Sequence, residues 1–162
     1  MAGFHTKKFK IDDEYMTPKY AWENIQQYIP KDKVIWEAFM GDSKSGEFLN
    51  ELGFDTIHDN DDFFESDKGD IVVSNPPFSK KKEVFQRLKE IDKPFIIICP
   101  INMINTLYIR NLFKDSKDRL QIIIPRKRIQ FIKVGAEENK CNFDCFYYCY
   151  KIGLDHDIIW LD

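Results

Sequence analysis

The chain has 162 residues, a formal net charge of -3 and 14 phenylalanines. That length suits one domain with a proper core, and the charge excludes the global basic field of a dedicated nucleic-acid packager. No apolar run approaches a membrane span and no signal peptide opens the chain, so a soluble, intracellular protein without membrane contact is expected.

Residues 1–13 are polar and basic with scattered Phe, and read as an N-terminal arm; residues 14–162 read as one domain without linkers, repeats or low-complexity stretches. Thr17-Pro18 reads as a helix start, Thr as N-cap and Pro in the first turn, with the helix reaching about Tyr28 before Pro30 ends it. Val34-Ile35-Trp36 reads as a strand, followed by a loop from Glu37 to Gly46. An amphipathic helix then carries Phe48, Leu49 and Leu52 and stops at Gly53. Thr56-Ile57-His58 reads as a second strand ending at Asp59, before the acidic stretch 60–64.

Asp70-Ile71-Val72-Val73-Ser74 is a β-branched apolar run that ends in Asn75-Pro76-Pro77-Phe78. Two successive prolines remove two backbone donors and fix two φ angles, so neither helix nor sheet continues through them. A charged helix with Val84, Phe85 and Leu88 on its apolar face follows over about 80–91. Then come an all-apolar strand at 95–99, a helical stretch at 104–114 and a strand at 120–124 stopped by Pro125. A long aromatic strand spans about 142–151, and the tail at 157–161 suits one more short strand. Cys141, Cys145 and Cys149 are spaced four apart, unlike a zinc site. On a strand they share one face, and with Cys99 they read as small buried residues; no metal site is expected.

Strands alternating with helices, several of them apolar on both faces, predict an α/β fold: a mainly parallel sheet with helices on both faces. No helix separates the last strands, which predicts an antiparallel edge hairpin.

Open α/β sheets bind ligands at the carboxyl ends of their strands. The Asn75–Phe78 loop offers there an amide side chain, carbonyls without ladder partners and an aromatic ring, a set suited to a planar group carrying an amine. The Glu37–Gly46 loop lacks both the full Gly-x-Gly-x-x-Gly pattern and the ending of a P-loop. Glu37 repels a pyrophosphate and suits a cation, Gly41 permits close backbone approach, and Asp59 stands where a carboxylate accepts ribose hydroxyls. Asp62 can take an exocyclic amine while Phe63 packs on the base. S-adenosylmethionine fits this description. The bland alternative makes Glu37 a surface charge and Asp59–Asp62 a solvated acidic loop.

Thr17-Pro18, then Glu37 to Gly41, Asp59, Asp62-Phe63 and Asn75-Pro76-Pro77-Phe78 together resemble the Rossmann-like, S-adenosylmethionine-dependent N6-adenine methyltransferases, in the motif order of their gamma-type members. Arg128-Ile129-Gln130-Phe131 resembles a later motif near the target-base pocket, and Ser43 stands where many members have a second glycine. The resemblance implies a seven-stranded sheet of order 3-2-1-4-5-7-6 with strand 7 antiparallel. It implies cofactor contacts from Thr17, Pro18, Glu37, Ala38, Phe39, Gly41, Asp59, Asp62, Phe63 and Asn75. It also implies a catalytic loop of Asn75, Pro76, Pro77 and Phe78, in which Asn75 and the Pro76 carbonyl accept the amine hydrogens and Phe78 stacks on adenine.

A base inside a duplex must be flipped, or presented unpaired, to reach such a loop. Lys80, Lys81 and Lys82, with Arg126, Lys127 and Arg128, are candidates for holding phosphates; solubilising charge is the plain alternative. Gamma-type DNA enzymes commonly append a target-recognition domain, for which this chain has no room. Either specificity is then low, or a homodimer mate or specificity subunit supplies it, or the substrate is a structured or single-stranded RNA read by shape. DNA is the first expected acceptor and RNA the alternative. Methylation of a protein glutamine is disfavoured by Phe78 where those enzymes carry Tyr. A non-catalytic nucleic-acid-binding subunit is disfavoured by the intact Asn75–Phe78 loop.

Overall fold

The computed structural model describes residues 15–39, 41, 43–133 and 143–162; the expected arm at 1–13 and Cys141 lie outside them. The strands are β1 (Tyr15–Met16), β2 (Ile35–Trp36), β3 (Thr56–Ile57), β4 (Ile71–Ser74), β5 (Phe95–Pro100), β6 (Leu120–Ile124), β7 (Ile132–Lys133), β8 (Cys145–Tyr150) and β9 (Ile158–Trp160). The helices are α1 (Lys19–Glu23), α2 (Lys44–Glu51), α3 (Lys81–Ile91) and α4 (Leu107–Phe113).

Seven strands form one sheet in the order β3-β2-β4-β5-β8-β6-β9. β8 alone runs against its neighbours β5 and β6, and the remaining pairs are parallel. This is the expected Rossmann-like fold, with two differences at the margins. The antiparallel pair lies one strand in from the edge, because β9 adds to the far side of β6. No strand flanks β3 on its outer side among the described residues. Residues 58–70, which would supply it, hold an acidic run tied down by Lys68 and contain no stretch of strand-forming residues.

Alternation along the central strands feeds two cores. Ile71, Val73, Ile96, Ile98, Tyr147 and Cys149 face a layer that includes Trp22 of α1 and Leu49 of α2. Val72, Phe95, Ile97, Cys99, Tyr148 and Tyr150 face Val84, Phe85 and Leu88 of α3 and Phe113 of α4. Helices therefore cover both faces, and Cys145 and Cys149 are buried on one of them, as their spacing predicts.

α1 is shorter than expected. Pro18, with φ -70° and ψ 151°, holds the N-cap position without a side-chain cap, and Ile25 at φ -118° interrupts the helix before a 3-10 turn over Gln26–Tyr28. The two-residue strands β1 and β7 pair antiparallel, Tyr15 opposite Lys133 and Met16 opposite Ile132. They staple the chain's early segment to the segment after β6.

Candidate active site

Because β2, β3, β4, β5 and β6 run parallel, the segments that follow them leave one edge of the sheet. Glu37–Phe39, Gly41, Asp59–Asp62, Asn75–Phe78 and Arg126–Arg128 therefore lie along that edge. The start of antiparallel β8, with Phe143 and Asp144 before it, reaches the same place.

Asn75 follows β4 directly. Its Nδ2 donates to the Tyr15 carbonyl at 3.1 Å, while its Oδ1 is buried and has no hydrogen-bond partner. A buried acceptor left unpaired costs about 1–3 kcal/mol, so this oxygen is poised to accept a donor from outside the chain. Pro76 and Pro77 are buried and Phe78 is half-buried. The Phe78 ring lies nearly parallel to Tyr15, with centroids 6.3 Å apart and planes 23° apart. Phe131 and Phe143 stack on each other and stand edge-on to both. The result is an aromatic cluster with two near-parallel walls and two perpendicular rings beside the orphan oxygen.

The Glu37 carboxylate is buried, 1 % exposed, beneath the first loop. Oε2 accepts from Ser45 Oγ at 2.7 Å, and that hydroxyl accepts from Trp22 Nε1 at 2.7 Å. Oε1 accepts from Ser74 Oγ and from the Phe39 amide at 3.2 Å. Burial outweighs these bonds and pushes the carboxyl pKa up to about 7. Glu37 is thus no surface charge: it ties α1, α2, the first loop and the end of β4 together. Gly41 adopts φ +53°, and a Cβ there would sit 3.0 Å from Met16 Sδ. Ser43 takes the left-handed region at φ 67° without glycine's freedom. Gly46 lies so close to His58 that a Cβ would come within 2.2 Å of the ring.

Asp59 is half-exposed and pairs with Lys68 at 2.6 Å; the Lys68 hydrogen bond holds its carboxyl below the usual range. Lys68 also pairs with Asp61. Asp62 Oδ1 accepts from the Phe64 amide at 2.9 Å, bracing the loop. Phe63 is buried against Trp36 and Phe39 at 5.4 and 4.8 Å, so its ring belongs to the core and presents no free face to a base. Thr17, Pro18 and Ala38 are also buried. Lys80 and Lys82 are exposed, and Lys81 Nζ donates to the Phe78 carbonyl at 3.2 Å. Among the described residues no helix is long and apolar enough to cross a membrane.

Residues 8–145 match the family model described as adenine-specific methyltransferase EcoRI. The chain belongs to this family of adenine-specific methyltransferases. It is also similar to the Type II methyltransferase M.EcoRI of Escherichia coli, with 34 % identity over 101 residues, 62 % of this chain and 27 % of that enzyme. The matched stretch thus spans about a quarter of that relative's length. A solved structure of a candidate RNA methyltransferase from Pyrococcus horikoshii superimposes with a TM-score of 0.52 at 15 % identity, covering 90 % of this chain and 93 % of the other. That likeness bears on the fold.

Several residues of this candidate site escape a reading of the sequence. Ser74 carries one hint, a hydroxyl at the end of an apolar strand that needs a buried partner. Tyr15, Ser45, Trp22 and Phe143 carry no local signal.

Proposed function

We propose that this chain transfers the methyl group of S-adenosylmethionine to the exocyclic N6 amine of adenine in DNA. The observation that carries the reading is the buried, unpartnered Asn75 Oδ1 on the Asn-Pro-Pro-Phe loop, in a member of an adenine-specific methyltransferase family. The choice of DNA rests on the likeness to the Type II methyltransferase.

The first loop fits the proposed donor. Gly41 in its left-handed conformation lets backbone approach a ligand, and Asp59 keeps a half-exposed carboxylate after β3. These groups suit ribose hydroxyls and a ligand without phosphates. Glu37 supports the loop from beneath rather than offering a free carboxylate. When bound, the cofactor supplies an electrophilic methyl on a sulfonium.

The adenine amine is a poor nucleophile because its lone pair is delocalised into the ring. Asn75 Oδ1 accepts one amine hydrogen and the Pro76 carbonyl the other, which favours a pyramidal nitrogen with its lone pair aimed at the methyl. Both bonds strengthen as positive charge develops on nitrogen, so they stabilise the transition state more than the ground state. Phe78 fixes the plane of the base. The buried cysteines need no part in the reaction: burial raises the Cys99 and Cys149 thiols far above their usual range.

The test is acceptor partitioning. Isothermal calorimetry measures S-adenosylmethionine binding, and labelled cofactor is then offered with DNA, RNA and protein together. Label in DNA adenine supports the reading, label confined to RNA or protein replaces the acceptor, and absence of cofactor binding removes the enzyme reading.

A further inference from the structure

The turn after β6 brings cations to the active edge that the transfer step does not use. Arg126 and Lys127 are exposed and make no ion pair among the described residues. Arg128 is held flat by Asp144, with Nε to Oδ1 at 3.0 Å and Nη2 to Oδ2 at 3.1 Å. That pairing holds the Asp144 carboxyl below its usual range. Beneath these residues is a hollow of about 220 Å³, floored by Ile101, Ile124 and Phe146.

We propose that this hollow is a subsite for one unpaired nucleotide flanking the target adenine, its base on the apolar floor and its phosphates on Arg126 and Lys127. The inference rests on the nucleic-acid reading above. The volume is below the roughly 300 Å³ at which pockets for whole ligands begin, so it suits a single base. The rim carries Arg126, Lys127 and Arg128 against one carboxylate, in a chain whose net charge is -3. A cationic rim over an apolar, partly aromatic floor is how sequence-tolerant single-strand sites are built. The position is also right. β8 and β6 lie two and three strands from β4, which at about 4.8 Å per strand places the hollow on the order of 10–15 Å from the Asn75 loop. A few nucleotides of extended strand cover that gap.

The experiment uses the full chain and a short single-stranded DNA with one adenine, scanned with an abasic residue at each flanking position. Affinity is read by fluorescence anisotropy, and N6-methyladenine is read in parallel. The wild-type protein is expected to lose binding on the order of tenfold at one flanking position only. Ile101→Asp, at an exposed floor position, is expected to bind the intact strand about as weakly and to lose that positional sensitivity. A flat scan in the wild type, or an unchanged positional dip in Ile101→Asp, overturns the subsite even where adenine is methylated. Absence of N6-methyladenine with a clear dip instead overturns the reaction reading and leaves the subsite standing.

Discussion

The Tyr15 carbonyl accepts a hydrogen of the Asn75 amide at 3.1 Å, and this bond decides which way the amide faces. With Nδ2 engaged, Oδ1 is the atom left buried and unpaired. A two-residue strand far away in sequence thereby orients the acceptor of the proposed catalytic loop. Asn75→Ala is expected to lower methyl transfer by at least about a hundredfold. Cofactor affinity by calorimetry and the melting temperature should stay close to wild type. Equal loss of transfer and cofactor binding would make Asn75 a structural residue.

The Tyr15 ring is the second half of the same relationship, lying nearly parallel to Phe78. Tyr15→Ala keeps the carbonyl and removes the wall. Its expected effect is a rise in KM for the nucleic acid of roughly tenfold, the scale of one aromatic stack, with Tyr15→Phe close to wild type. Steady-state kinetics of the two variants check this; equal values for both would detach the ring from substrate binding.

Neither effect of Tyr15 is visible in the sequence. β1 and β7 are two residues each, too short for periodicity to announce, and their pairing joins segments more than a hundred residues apart. β4, β5 and β6 are legible because each is an apolar run cut off by proline or asparagine, and their parallel order puts the loops on one edge. The positions of the loops after β2 and β3 are legible as well, but the depth of their side chains is not. Phe63 reads as a ring beside an acidic loop, yet Trp36 and Phe39 pull it into the core. Glu37 reads as a free acid, and only the folded arrangement brings Ser45 and Ser74 to its two oxygens.

The Glu37 carboxyl also sets a pH dependence. Its folded pKa of about 7 stands above the ordinary 4.5, so the native state holds the proton more tightly than the unfolded chain. Its stabilising contribution is full below about pH 4.5 and is lost as pH rises through 7, a change on the order of 3 kcal/mol. Glu37→Gln is expected to flatten this dependence and to match or exceed wild-type stability at pH 8. Urea unfolding across this range checks it, and an unchanged slope in the variant would assign the dependence elsewhere.

The end of the first loop and the start of α2 make opposite demands on their small residues. Ser43 is left-handed, a conformation that costs a non-glycine residue about 1–2 kcal/mol. Glycine there regains roughly 0.4–1 kcal/mol of unfolded-state freedom, so Ser43→Gly is expected to leave the melting temperature unchanged or raise it slightly. Gly46→Ala places a Cβ within 2.2 Å of His58 and is expected to lower stability by about 1–3 kcal/mol. Thermal unfolding of the two variants separates these outcomes; a destabilised Ser43→Gly would mean that the serine hydroxyl is needed where it stands.

In the proposed reaction Asn75 accepts an adenine amine hydrogen during methyl transfer in DNA. The most direct measurement of this is mass spectrometry of nucleosides from DNA incubated with S-adenosylmethionine and either wild-type protein or Asn75→Ala. The expected result is N6-methyladenine with the wild type and a loss of at least about a hundredfold in the variant. Wild-type protein that binds cofactor yet leaves DNA adenine unmethylated, or a variant that methylates it equally well, would rule out this role for Asn75.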